Sequence, residues 1–199
     1  MTKETIVIFD FDGTITTKDT MLELAKWHFG ALKFYAGLLK ILPQLLMYKA
    51  RIISNTKAKE SFLKHFYGGM DYEYFKNLCR QYSAQEIDKI LKNEAVAKIK
   101  FYKNSGFKMV VITASVADWV RPWAEVNGFE DVLGSDAEVV AGKVTGKLKG
   151  KNCHGAEKVN RFVEKYGAIE NYYSIGFGDS SGDREILLKV DQPYYRKYE

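Results

Sequence analysis

The architecture of this 199-residue chain can be worked out from one stretch, TIVIFDFDGT at residues 5–14. Residues 5–9 are a short run of β-branched and aromatic side chains, which predicts a buried parallel strand. Asp10 and Asp12 follow, and while the chain stays extended both carboxylates point to the same side. Gly13 then lets the chain turn sharply away. Because like charges this close repel, the motif indicates a divalent cation or a shared proton between them, or else a plain acidic turn.

Two further buried strands also end in polar residues. Residues 107–112 precede Thr113-Ala114-Ser115, and residues 173–177 precede Gly178-Asp179-Ser180. The remaining pattern predicts helices at about residues 93–104, 116–126, 157–166 and 183–188. It also predicts a hairpin at 138–148 and a last strand from 190 onward. Strands that alternate with helices favour a parallel sheet with helices on both faces. Ligands bind at the carboxyl edge of such a sheet, which is where these polar residues gather.

A long helical segment interrupts this alternation directly after the first strand. Residues from about 20 to 91 have a helical pattern, punctuated by Gly30, Pro43 and Gly68-Gly69. We therefore predict an α/β protein with a Rossmann-like, doubly wound parallel sheet core and an inserted helical cap domain over the carboxyl edge. The predicted core comprises residues 1–17 plus 92–199, and the predicted cap comprises residues 18–91.

The second and third chemical elements are a pair of hydroxyls and a lysine. Thr113 and Ser115 can donate hydrogen bonds to a phosphate oxygen, and Ser115 is also a candidate N-cap for the following helix. Both roles are compatible, because phosphate is favoured at a helix N-terminus. Lys158 opens a predicted helix and could either neutralise phosphoryl charge or face solvent. Lys149 and Lys151 are competitors for the same role.

The fourth element is the segment GDSSGD at residues 178–183. Asp179 and Asp183 are four residues apart, so a helical turn places them on one face. With Asp10 they form an oxygen-only set of ligands, which suits Mg²⁺ rather than zinc. An acidic turn with an N-cap would give the same pattern without a metal.

In this order, the four elements closely resemble the haloacid dehalogenase superfamily. Asp-Phe-Asp-Gly-Thr and Gly-Asp-Ser-x-x-Asp are the most specific parts of the resemblance, which covers the core strands. It implies a Mg²⁺-dependent phosphatase in which Asp10 forms an aspartyl-phosphate, while Asp12 protonates the leaving oxygen and then activates water. The resemblance further implies a phosphate-binding hydroxyl at Thr113, a cation at Lys158, metal ligands at Asp10, Asp179 and the Asp12 backbone carbonyl, and support of the metal and its waters by Asp183.

The helical block resembles the cap of the phosphoserine-phosphatase-like branch, subfamily IB with a C1-type cap. The second aspartate, Asp12, argues against halide displacement, because the dehalogenases lack it. The branch uses an acidic residue shortly after motif one to bind the substrate amino group, which implies this role for Asp19. Arg51 is a candidate for the substrate carboxylate. The substrate-binding residues expected in total are Gly13, Thr14, Asp19, Arg51, Ala114 and Ser115.

We therefore expect a phosphomonoester hydrolase. Its substrate would be phosphoserine, another small phosphorylated metabolite or a phosphorylated lipid. Two alternatives are a phosphotransferase or mutase that uses the same intermediate, and a regulatory module that binds phosphate or lipid without turnover. The four intact motifs argue against loss of turnover.

Positive charge is concentrated in the predicted cap. The net charge is +5, and between Lys26 and His65 eight Lys/Arg residues accompany a single acid, Glu60. Three interpretations of this charge stay open: a solvated helical face, an electrostatic field that attracts anionic substrates, and a surface that rests on anionic lipid. No nucleic-acid partner is expected, because no binding motif accompanies the charge.

The remaining sequence features concern location. Cys79 and Cys153 are far apart and lack metal-site spacing, which predicts reduced thiols in a cytoplasmic protein. No signal peptide is expected, and residues 29–48 contain two lysines and a proline, so they make a poor transmembrane span. Peripheral contact with an anionic membrane stays open as an alternative. His154 lies near the phosphate motifs and receives no assigned role.

Overall fold

The computed structural model of the protein describes residues 3–198. Within this range the strands are β1 (Thr5–Phe9), β2 (Lys108–Val116), β3 (Asp131–Ser135), β4 (Ala137–Val140), β5 (Lys143–Leu148), β6 (Tyr173–Gly178) and β7 (Gln192–Tyr195). The helices are α1 (Thr20–Phe29), α2 (Ala31–Lys49), α3 (Asn55–Tyr67), α4 (Tyr72–Gln85), α5 (Asn93–Asn104), α6 (Ala117–Val126), α7 (Ala156–Tyr166) and α8 (Arg184–Leu187). Short 3₁₀ turns lie at Ile87–Ile90, Ile169–Asn171 and Ser181–Asp183.

Five strands form one parallel sheet in the order β3-β2-β1-β6-β7. The central strand is β1, which pairs with β2 on one side and with β6 on the other. Because all of these strands run in the same direction, the segments that follow β1, β2 and β6 meet at one edge. β4 and β5 form a separate antiparallel hairpin.

Each face of the sheet has its own apolar core. Val7 and Phe9 of β1 pack in a cluster with side chains of α5 and α6, whereas Ile6 and Ile8 pack with side chains of α7 and α8. This division follows from the alternation of side chains along a strand. Helices therefore cover both faces of a parallel sheet, and the predicted fold class is confirmed.

The helical cap is built from α1 to α4. Asp19, Ser54 and Asp71 precede α1, α3 and α4, and each side chain accepts a hydrogen bond from a backbone N–H of the first helical turn. Such N-caps satisfy donors that the helix itself leaves free, and they fix where each helix begins. The apolar side chains of these helices join the cluster on the α5 and α6 face of the sheet.

The chain enters and leaves the cap through two segments that lie side by side. The Thr17 N–H donates to the Ile90 carbonyl at 2.7 Å, and the Lys92 N–H donates to the Ile15 carbonyl at 2.9 Å. These hydrogen bonds support the division at residues 17/18 and 91/92, which we retain as a proposal.

The β4–β5 hairpin reaches from the core to the cap and packs against α3. Gly146 of β5 lies so close to α3 that a Cβ atom there would be 2.2 Å from the Lys64 Cα. The Leu148 N–H also donates to Glu60 Oε1 of α3 at 3.1 Å. The hairpin thus forms a second connection between the two parts of the chain.

Two features differ from the sequence-based expectations. β3 was not expected, since only Val132 and Leu133 supply large apolar side chains to its five residues. β2 continues to Val116, and the helix that follows begins with no side-chain cap, so the N-cap predicted at Ser115 is wrong. Ser115 stays in the strand because it lies in a buried run, and its hydroxyl bonds to Asp12 instead.

Within residues 3–198, no helix has both the length and the apolar character needed to cross a membrane.

Candidate active site

A cavity of about 510 Å³ lies where the carboxyl edge of the sheet meets the cap. Its wall combines residues that are far apart in sequence but belong to the predicted motifs. The core contributes Asp10, Asp12, Thr113, Ala114, Ser115 and Lys158, and the cap contributes Asp19, Lys59 and several apolar side chains. Ser180 and Gly182 of the fourth motif also line it, so the cavity brings residues of all four motifs together beneath the cap.

Lys158 connects two of the predicted acids. Its Nζ donates to Asp10 Oδ1 at 2.6 Å, to the Asp183 carboxylate, and to the Ile112 carbonyl at 2.7 Å. Burial alone would lower the pKa of Lys158, but the charges of Asp10 and Asp183 outweigh burial and hold the pKa above its ordinary value. The lysine lies on the buried face of α7, which it shares with Phe162 four residues later. A permanent positive charge thus lies against Asp10.

The two competing lysines are elsewhere. Lys149 and Lys151 are exposed on the chain between β5 and α7, whereas Lys158 is 2% exposed. Neither of them lines the cavity described above. The geometry therefore favours Lys158 as the cation of the site.

Asp183 is oriented by hydrogen bonds to both of its oxygens. Oδ2 accepts from the Asp179 N–H at 3.2 Å, the Ser180 N–H at 2.9 Å and the Ser180 hydroxyl at 2.8 Å, while Oδ1 accepts from Lys158. Burial would raise the pKa of Asp183, but Lys158 and Ser180 outweigh burial and hold the pKa below its ordinary value. The carboxylate is therefore ionised and fixed in place.

Asp10, Asp179 and Asp183 form an acidic cluster. Each offers a carboxylate oxygen, and the three oxygens lie within 4.8 Å of one another. Burial raises the pKa of Asp10 to about 6; Lys158 opposes this rise and the Asp183 charge adds to it. Burial and the Asp183 charge likewise raise the pKa of Asp179. Because the donors are all oxygens and their charges repel, the cluster fits a divalent cation such as Mg²⁺.

Gly13 and Thr14 shape the acidic cluster rather than the large cavity. Gly13 has φ +79°, and a Cβ atom at this residue would lie 2.4 Å from Asp179 Oδ2. Only glycine therefore allows the loop to pass so close to Asp179. The Thr14 hydroxyl lies 3.2 Å from Asp179 Oδ1 and 3.5 Å from Asp10 Oδ2. Gly13 therefore leaves room for the Asp179 carboxylate, and Thr14 contacts the carboxylates of Asp10 and Asp179.

Asp12 has different surroundings from Asp10. Its Oδ1 accepts from the Thr20 N–H at 2.7 Å, and its Oδ2 accepts from the Ser115 hydroxyl. Burial of the carboxyl group and the charge of Asp19 raise the pKa of Asp12 to about 7, against the lowering effect of the Ser115 and Thr20 hydrogen bonds. At neutral pH this group can therefore give up and take back a proton, as general acid–base catalysis requires.

The end of β2 presents Thr113 and Ala114 to the cavity. Thr113 is 1% exposed, and its hydroxyl oxygen accepts the Ser115 N–H at 3.0 Å, which leaves the hydroxyl proton for another acceptor. The Ala114 carbonyl accepts a hydrogen bond from Lys59 Nζ at 2.7 Å. The strand end therefore supplies one hydroxyl donor to the cavity and one attachment point for the cap.

The structure separates the two cap residues that were predicted to bind substrate. Asp19 lies at the N-terminus of α1, accepts the Leu22 N–H at 3.1 Å and lines the cavity. Arg51 is exposed in the turn after α2, with φ +60°, and does not line the cavity. Because Arg51 is exposed and is not part of the cavity wall, the geometry does not support its predicted contact with a substrate carboxylate.

Lys59 of α3 is the cationic cap residue that sequence reasoning did not single out. Besides Ala114, its Nζ contacts Asn152 Oδ1 at 2.9 Å, and Asn152 in turn donates to Asn55 Oδ1 at 2.9 Å. Burial lowers the pKa of Lys59, while the charges of Asp12 and Asp19 oppose this shift. No local signal distinguishes Lys59 from the other lysines of the basic segment.

His154 also lines the cavity. Its ring lies over Gly182, where a Cβ atom would be 2.6 Å from both Cδ2 and Nε2. Burial and the charges of Lys158 and Lys59 lower the pKa of His154, which favours the neutral imidazole. The residue is thus a neutral polar group in the cavity wall.

The fold and this set of motifs define a class of enzyme. A family model of haloacid dehalogenase-like hydrolases matches residues 7–188, so the chain belongs to this family and the predicted hydrolase class is confirmed. Among known proteins, the chain is 32% identical to Protein CicA of Caulobacter vibrioides over 192 residues, covering 96% of this chain and 85% of CicA.

Solved structures share the whole fold. A Bordetella pertussis protein of unknown function has a TM-score of 0.80 at 19% identity, with 96% of this chain and 89% of that chain covered. A phospho-aspartyl intermediate analogue of phosphoserine phosphatase has a TM-score of 0.63 at 20% identity, with 94% and 84% covered. The predicted similarity to the phosphoserine-phosphatase-like branch is therefore confirmed at the level of the fold.

Proposed function

We propose that this protein is a Mg²⁺-dependent phosphomonoesterase that works through an aspartyl-phosphate on Asp10. The observation that carries the proposal is the buried contact of Lys158 with Asp10 and Asp183, beside the acidic cluster and at the base of the cavity. The phosphoserine phosphatase of similar fold, solved as a phospho-aspartyl intermediate analogue, supports the same chemistry.

In the first step a carboxylate oxygen of Asp10 attacks phosphorus, and the bond from phosphorus to the ester oxygen breaks. Asp12 gives its proton to the leaving oxygen, and its pKa of about 7 suits this transfer. Lys158 and the Thr113 hydroxyl stabilise the charge on the equatorial oxygens. In the second step Asp12 takes a proton from water, which attacks phosphorus and releases phosphate from Asp10.

The metal proposed is Mg²⁺, held by Asp10, Asp179 and the backbone carbonyl of Asp12. When bound, it would offset the repulsion between the carboxylates and the phosphate dianion. Asp183 already accepts four hydrogen bonds and so has little capacity left for the ion itself. This supports a role in which Asp183 holds waters around the metal.

The substrate class we propose is phosphoserine, another small phosphorylated metabolite or a phosphorylated lipid. Asp19 and Lys59 give the cap side of the cavity one acid and one cation, while Leu38, Leu45 and Phe62 add apolar surface. The proposal also includes a cytoplasmic location, with the basic cap able to contact an anionic membrane. A panel of phosphorylated metabolites and lipids would choose among these substrates.

The central test is turnover of an aryl phosphate with Mg²⁺. Asp10→Asn should reduce turnover by several orders of magnitude and abolish binding of beryllium fluoride, while circular dichroism shows an intact fold. Asp136→Asn, which changes an exposed carboxylate, is the matched control. Substantial phosphatase activity in folded Asp10→Asn would refute the assignment of the nucleophile.

A further inference from the structure

Helix α2 carries a row of exposed apolar side chains on the outside of the cap. We call Leu32, Tyr35, Leu39, Leu42 and Leu46 the α2 stripe; they are 86, 54, 69, 41 and 56% exposed. Their spacing of three and four residues places them along one side of the helix. Single exposed leucines are ordinary, but a continuous row of this length indicates an interaction surface.

The other side of α2 is fully used by the protein itself. Phe34, Gly37 and Ile41 are buried, and a Cβ atom at Gly37 would lie 2.5 Å from the Phe66 ring of α3. Leu38, on the flank between the two sides, lines the catalytic cavity. The position of α2 is therefore set by its inner side, and internal packing does not account for the α2 stripe.

The charge around α2 indicates which partner would fit. Residues 24–59 contain seven Lys/Arg residues and no Asp or Glu. Lys33 and Lys40 each follow a stripe leucine by one residue, so they lie about 100° further round the helix, and Lys49 ends it. A second copy of α2 would bring like charges together without the acidic partners that stabilise paired helices. An anionic surface would complement the same charges.

We propose that the α2 stripe docks this protein on the surface of an anionic lipid bilayer. The helix would lie in the plane of the interface, with its leucines among the upper acyl chains. Tyr35 combines an apolar ring with a polar tip, which suits the headgroup level, and the lysine side chains are long enough to reach phosphates. This inference rests on the membrane contact included in the proposed function and assigns it to α2, and it is independent of the catalytic proposal.

Cosedimentation of the full chain with vesicles tests the inference. Phosphatidylcholine vesicles with phosphatidylglycerol should pellet the protein at low salt, and pure phosphatidylcholine vesicles should not. Because screening weakens attraction to surface charge, high salt should release the protein. Leu39→Ala/Leu46→Ala should lower vesicle affinity at least about tenfold, since it removes apolar area from the interface. The matched control is Phe101→Ala/Val126→Ala, which removes side chains that are 60 and 81% exposed on α5 and α6.

A second pair of variants isolates charge. Lys33→Glu/Lys40→Glu should abolish binding to anionic vesicles, whereas Lys100→Glu/Lys147→Glu makes the same change in net charge on exposed lysines outside the cap and should keep most of the binding. Aryl phosphate turnover without vesicles should stay at the wild-type level in the Leu39 and Leu46 variant, because neither residue lines the cavity.

Three results would overturn the inference. These are failure of the wild type to bind anionic vesicles, undiminished binding by the Leu39 and Leu46 variant, and wild-type self-association that this variant abolishes, which would make the stripe an interface between copies. Vesicle binding by a wild type that does not hydrolyse aryl phosphates would instead refute the catalytic proposal and leave this inference standing.

Discussion

Lys158→Met would remove the charge that joins Asp10 to Asp183 while keeping a side chain of similar length. Lys158 is 2% exposed, and the side chains of Asp10 and Asp183 are 10 and 1% exposed, so solvent reaches these carboxylates poorly. Removing one partner of a buried ion pair costs about 3–5 kcal/mol. Domains are commonly stable by about 5–15 kcal/mol, so the variant should fold but be clearly destabilised.

Urea unfolding in EDTA, followed by circular dichroism, would give the free energy of unfolding of each variant. Lys149→Met and Lys151→Met are matched controls, because each removes an exposed lysine from the segment before α7. Without Lys158, the pKa values of Asp10 and Asp183 in the folded state should both rise. The pKa of Asp10 is already raised by burial, and Asp183 loses the charge that does most to hold its pKa down. A carboxyl group whose pKa is higher in the folded than in the unfolded state stabilises the fold at low pH. This contribution is lost as the pH rises through the folded-state pKa. The loss of unfolding free energy in Lys158→Met, relative to the wild type, should therefore become smaller as the pH is lowered from about 8 to about 5.

The experiment distinguishes a role of the Lys158 charge from a role of its packing alone. Adding Asp183→Asn to Lys158→Met should recover part of the lost stability, because one buried carboxylate then disappears. A deficit below about 1 kcal/mol at both pH values, the scale of a surface ion pair, would refute the reasoning. So would a deficit that grows on acidification. Turnover by the variant should fall about 10²–10³-fold, as for loss of one oxyanion-stabilising group.

Three further predictions concern the proposed chemistry. Asp12→Asn should lose about 10²–10⁴-fold in rate, with a smaller loss for aryl phosphates with good leaving groups; an equal loss across such a series would count against the acid role. Asp179→Ala should raise the Mg²⁺ concentration needed for half-maximal activity, measured by titration, and full wild-type activity after exhaustive chelation would contradict a metal role. Ser115→Ala removes a hydrogen bond that lowers the pKa of Asp12, so the alkaline limb of the kcat/KM profile should move to higher pH. A limb that stays in place would separate Ser115 from that proton.

The parts of the fold that local sequence determines were predicted closely. The strand at residues 5–9 and the helix at residues 93–104 have the bounds that their apolar patterns indicate. Apart from Lys158, the polar residues of the motifs lie at the carboxyl ends of β1, β2 and β6 or just after them, so parallel pairing alone brings them to one edge. This is why Asp10, Asp179 and Asp183 could be predicted as one cluster before any contact was known.

The missed features depend on tertiary contacts. β3 has few apolar residues of its own and is stabilised as a strand by pairing with β2 at the edge of the sheet. Lys59 is one of many lysines in the cap, and only the packing of α3 over the core brings its Nζ to Ala114. Arg51 was the cap cation predicted from sequence, but it is exposed in the turn after α2 and does not line the cavity. Which cap residue reaches the cavity is thus set by helix packing.

The arrangement of charges gives the cap a part in the chemistry. Four aspartates of the core, Asp10, Asp12, Asp179 and Asp183, surround the site, whereas the lysines that line the cavity are Lys158 from α7 and Lys59 from the cap. These residues alone leave excess negative charge, which repels a phosphate dianion, and Lys158 is already neutralised by two buried carboxylates. Lys59 is held instead by two neutral oxygens, so its charge is not cancelled by direct contacts. The cap therefore covers the cavity and lines it with one acid, Asp19, and one cation, Lys59, whose charge no direct ion pair cancels.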